Sequence, residues 1–134
     1  MITGLEKTLA AWIASFAEEE ICSENLPKKN GAVAVRMKDG RKTIGKYLYG
    51  TKKRCCEFEL RTRVSSGKNG AETAALRLET IAEDCVTQTK PSGITGITIT
   101  DVYPTGSPVL VNRTNNGDDE YALGMRAEWM EDEE

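Results

Sequence analysis

Leu5, Leu9, Trp12, Ile13 and Phe16 fall at i, i+4, i+7, i+8 and i+11, which is one apolar stripe on a helix of 3.6-residue period. Thr3, with Glu6 three residues later, has the form of a capping box. Glu6, Lys7, Ala14 and Glu18 occupy the opposite face. The helix is expected to end near Glu19 or Glu20, where acids in a last turn oppose the macrodipole and fray it. A second helix shows the same spacing in Ala74, Leu78, Ile81, Ala82 and Cys85. Asn69 is placed to cap it, with Glu72 three residues on, and it should end before Pro91-Ser92-Gly93.

Between the helices the period changes to two. After a polar linker from Cys22 to Gly31, Val33, Val35 and Met37 alternate with Ala34, Arg36 and Lys38. Asp39-Gly40 signals a tight turn, and a second apolar stretch runs from Thr43 to Tyr49. The clearest strand follows Gly50. Cys56, Phe58, Leu60, Thr62 and Val64 should face the core, and Cys55, Glu57, Glu59, Arg61 and Arg63 should face away. So regular a polar face implies a sheet covered on one side only. Beyond the second helix come Ile97 to Tyr103, Val109 to Val111, and a hairpin signal at Asn115-Asn116-Gly117. In the last strand Tyr121, Leu123, Met125, Ala127 and Trp129 alternate with Ala122, Gly124, Arg126 and Glu128.

The predicted order is α-β-β-β-α-β-β, with a further strand at the end. Two helices with one apolar stripe each, and strands with one apolar face each, make an α+β fold. Both helices should pack on one side of a curved, mostly antiparallel sheet. The 134 residues suit one domain, 1–134, ending in an acidic segment, 131–134. Met1 to Lys7 lacks a basic stretch followed by an apolar one, so no export signal is expected and a cytoplasmic chain is.

Composition narrows the chemistry. The net charge is −3, and four acids, Glu131, Asp132, Glu133 and Glu134, close the chain, so the body before them is near neutral. No field favours nucleic acid over the whole chain. There is no histidine, which removes the usual base of serine and cysteine triads. No phosphate loop or dinucleotide-binding glycine pattern is present. Cys22, Cys55, Cys56 and Cys85 show no CxxC spacing, so they read as free thiols. Cys55 and Cys56 are expected on opposite faces, one buried and one at the surface. Neither a cofactor nor a metal is expected. Asp118-Asp119-Glu120 in a loop could hold calcium, but without helix–loop–helix spacing. No catalytic constellation emerges, and the chain reads as a non-enzyme.

The basic clusters Lys28-Lys29, on the linker, and Lys52-Lys53-Arg54, at an expected turn, project positive charge. Together with Asn116, Asp118 and Asp119 they are candidate contact loops for a partner. Glu57, Glu59, Arg61 and Arg63 are a candidate subunit interface, because alternating charges set register and specificity.

Two resemblances bear on function. The first two thirds follow the helix–strand–strand–strand–helix order of double-stranded RNA-binding domains. Those domains open their second helix with clustered lysines, whereas Gly67-Lys68-Asn69-Gly70-Ala71-Glu72 has one lysine and one acid. The second resemblance covers nearly the whole chain. It rests on the opening amphipathic helix, Tyr47-Leu48-Tyr49-Gly50, the strand Arg54-Cys55-Cys56-Glu57-Phe58-Glu59-Leu60-Arg61-Thr62-Arg63, and the helix Ala74-Ala75-Leu76-Arg77-Leu78-Glu79. The hairpin from Val111 to Gly117 and the strand ending at Trp129 complete it. In order, length and pattern the chain resembles the tail terminator, or minor capsid, proteins of long-tailed bacteriophages and prophages.

That resemblance implies a virion protein made in the bacterial host cytoplasm. It implies a ring, usually hexameric, on the head-proximal end of the tail tube, which stops tube polymerisation and offers the joining surface for the head or neck. The implied partners are other copies, the tail tube protein, and sheath and neck or head-completion proteins, with no membrane and no specific nucleic acid. Another head–tail connector or tail structural protein is the neighbouring alternative.

Overall fold

The computed structural model describes residues 5–17, 21–23, 31–38, 42–46, 51–65, 69–92, 94, 96–113 and 118–131. Among them are two helices, α1 (Leu5–Ala14) and α2 (Gly70–Thr87), and seven strands: β1 (Ile21–Ser23), β2 (Val33–Met37), β3 (Lys42–Lys46), β4 (Lys52–Ser65), β5 (Ile97–Pro104), β6 (Val109–Arg113) and β7 (Asp118–Glu131). The fold is α+β with a mostly antiparallel, open sheet. The element order agrees with the predicted one, with a three-residue strand, β1, added ahead of the others.

β4 and β7 form the spine. Each has 14 residues, and they pair antiparallel from Lys52↔Glu131 to Ser65↔Asp118. Each also pairs on its other side with two shorter strands in line. β2 and β3 both lie along β4, and β5 and β6 both lie along β7. Single backbone bonds carry the pairing past the breaks. Lys38 N–H donates to Glu57 O at 3.0 Å, and Thr105 N–H donates to Gly124 O at 2.9 Å. A Cβ on Gly124 would lie 2.8 Å from Thr105 Oγ1, so glycine suits the point where β5 gives way to β6. β1 pairs parallel with β2 and closes one edge.

Alternation then decides what the sheet buries. Cys56, Phe58, Leu60 and Val64 of β4, and Leu123, Met125, Ala127 and Trp129 of β7, are buried as predicted. Leu5, Leu9, Ala10 and Ile13 of α1 and Leu78, Ile81, Ala82 and Cys85 of α2 share one cluster with most of them. Both helices therefore cover the same face, α1 over β1 and β2, and α2 over β4, β5 and β7. Each fully buried Leu, Ile or Phe contributes about 1.5–3 kcal/mol.

The helices are joined at their C-terminal ends. Trp12 Nε1 donates to Thr89 O at 2.8 Å. Lys90 Nζ donates to the carbonyls of Cys85, Val86 and Gln88 at 2.8, 2.9 and 2.9 Å, and lies 5.8 Å from the Trp12 ring centroid. One ammonium thus satisfies carbonyls that the end of α2 leaves open.

Several expectations are corrected. α1 ends at Ala14 rather than near Glu19. Ser15 Oγ bonds Trp12 O, and Phe16 N–H bonds Ile13 O, which tightens the last turn. Glu6 spends a carboxylate oxygen on Met37 N–H of β2, at 2.9 Å, so it ties α1 to the sheet, while Thr3 lies outside the described residues. Asn69 makes no side-chain cap bond to α2. Its backbone carbonyl takes the Thr73 N–H at 2.9 Å. The expected linker begins later, because Ile21 to Ser23 belong to β1. Lys52, Lys53 and Arg54, expected at a turn, lie within β4, and Asp118 and Asp119, expected in a loop, open β7. Cys55 and Cys56 do point to opposite faces, yet both are buried. The turn at Asp39-Gly40, the segment 47–50 and the hairpin turn 114–117 lie outside the described residues. On either side of the last, β6 and β7 pair antiparallel, Arg113 with Asp119.

Candidate functional site

The face of the sheet away from the helices carries the chain's polar chemistry. Alternation along β4 places Lys53, Cys55, Glu57, Glu59, Arg61 and Arg63 there, opposite Met130, Glu128, Arg126, Gly124, Ala122 and Glu120 of β7. β2 adds Ala34 and Arg36 beside Arg61 and Glu59. β5 adds Asp101 beside Glu128 and Tyr103 beside Arg126. Opposite charges face each other across the strands at Glu57↔Arg126, Arg63↔Glu120 and Arg36↔Glu59, the favourable cross-strand arrangement, while Asp101 and Glu128 are like charges set opposite each other.

Most of these charges are already matched within the chain. Arg63 Nη2 contacts Glu120 Oε1, with both side chains about nine-tenths shielded. Arg61 Nε donates to Glu59 Oε1 at 3.0 Å, and Lys38 Nζ approaches Glu59 at 4.0 Å. Glu128 gathers most. The Tyr103 hydroxyl donates to its Oε2, Lys53 Nζ lies 3.3 Å from its Oε1, and Arg126 Nε lies 3.4 Å from its Oε2. Lys53 also approaches Asp101 at 4.0 Å. The Tyr103 hydrogen bond, supported by Lys53 and Arg126, holds the Glu128 carboxyl below the usual carboxylate range against the opposing effect of burial. The same bond raises the Tyr103 phenol, with burial and the Glu128 charge adding to it.

The predicted interface residues therefore separate. Glu57 is exposed, Glu59 and Arg61 are half-buried and paired with each other, and Arg63 is buried against Glu120. Arg63 is on the predicted face but is engaged by its own chain. Arg36 and Glu57 are the charged side chains at the centre of this face that stay exposed, with no ion pair among the described residues. Among the candidate loops, Lys53 and Arg54 are paired on β4, Arg54 with Glu131 at 2.6 Å. Lys52 also has a partner. Asp119 meets Arg113 at 3.8 Å, so Asp119 and Glu120 face guanidinium groups where a calcium loop would need free oxygens. Lys28, Lys29 and Asn116 lie outside the described residues.

The Tyr103–Glu128–Lys53 group was not anticipated. The signal was present as one polar residue per alternate position, but joining three strands needed the register. Among the described residues no three His, Cys, Asp or Glu side chains converge to hold a metal ion, and no helix is long and apolar enough to cross a membrane. Neither the protein-family models nor the curated proteins compared with the sequence match it.

Proposed function

We propose that this protein is a structural assembly subunit of the tail-terminator kind, forming a ring on the end of a phage or prophage tail tube. The observation that carries the reading is that, among the described residues, helices pack on one face of the sheet only. Two helices seal one face, while the other is a lattice of opposite charges on two fully paired 14-residue strands. Such a face is stiff, because its register is set by 14 cross-strand pairs. It is polar without a large net sign, which favours orientation between subunits over raw affinity. Arg36 and Glu57 are the two charges at its centre left for an intermolecular contact. Ring closure needs two different surfaces on each copy, and the helix-clad face and the charged face differ in this way. A ring whose two ends differ can fit the tube on one side and end its growth on the other.

Native mass spectrometry and negative-stain electron microscopy, with and without polymerising tail-tube protein, test this. Annular particles several times the 14.7 kDa chain mass, and shorter tubes in the presence of the protein, are expected. A protein that stays single-copy on the tube and leaves tube length unchanged sinks the reading.

A further inference from the structure

We draw no further inference here: the strongest candidate, the outward face of α2, where Leu76 and Val86 stand exposed among Glu72, Glu79 and Glu83, carries nothing, because nothing in the structure shows what covers it.

Discussion

The Arg63 guanidinium meets the Glu120 carboxylate directly across the β4–β7 pair, with 9% and 12% of the two side chains exposed. The pair lies where Thr62 Oγ1 donates to Ala32 O at 3.0 Å and Arg77 Nη1 donates to Thr62 Oγ1 at 2.8 Å. Those bonds lie on the helix-covered face, opposite the ion pair, and they tie α2 and the start of β2 to the same end of the spine. Glu120→Ala leaves a shielded cation without this carboxylate, and should cost about 3 kcal/mol, the low end for a buried pair. Arg63→Met with Glu120→Leu should cost far less, because neither charge then remains buried. Urea denaturation of the two variants checks this. Equal losses in both would show that packing, not the ion pair, matters there.

Lys90 holds the end of α2 and the start of the α1 contact together. α2 has no basic residue in its last turn, while Glu83 and Asp84 lie near that end. Lys90 offsets this from outside the helix by binding three carbonyls beside the Trp12 ring. Lys90→Ala should cost about 1 kcal/mol, from the capping and cation–π contacts together. It should also speed amide exchange over the last turn of α2. A melting temperature unchanged by Lys90→Ala would remove this residue from the account.

Much of the architecture was legible because one face of each element is greasy and the other is not. Cys56 to Val64 and Tyr121 to Trp129 alternate cleanly, and the helices that cover them have matching stripes. What stayed hidden depends on register. Nothing local says that Arg63 will be buried, since its cover is Glu120, 57 residues away. Lys52-Lys53-Arg54 reads as a turn from composition, but β7 reaches Glu131 and gives these residues strand partners. Ile21 to Ser23 is too short to alternate. Glu6 carries a capping signature, yet its carboxylate answers an N–H 31 residues on. The charged face was visible as a pattern, while its sorting into engaged and exposed charges was not.

The thiols should differ in reactivity by burial. Burial pushes Cys56 and Cys85 up to about 12, so only about one part in ten thousand is thiolate near pH 8. Cys55 is shielded by lack of access, and Cys22 is half-buried. A thiol reagent added to the native protein should label Cys22 first, with Cys56 and Cys85 reacting only in denaturant. Four equal rates under native conditions would falsify the buried placement.

Tyr103 and Glu128 predict how stability follows pH. Their hydrogen bond lowers the Glu128 pKa in the folded chain and raises that of Tyr103. A carboxylate with a depressed folded pKa contributes stability above its unfolded value of about 4.3, and loses it as pH falls through the folded one. A phenol with a raised folded pKa contributes below its unfolded value of about 10, and loses it as pH rises through the folded one. The bond should therefore stabilise the protein fully between about pH 4.5 and 10, and fade on both sides. Tyr103→Phe should cost about 1 kcal/mol near neutral pH, and the gap between variant and parent should narrow toward both acid and alkali. Lys53 and Arg126 remain beside Glu128 in the variant, so part of the acid limb persists. Chemical denaturation of both proteins across this range measures the gap directly. Curves that stay parallel throughout would mean that the hydroxyl contributes nothing to the charge state of Glu128.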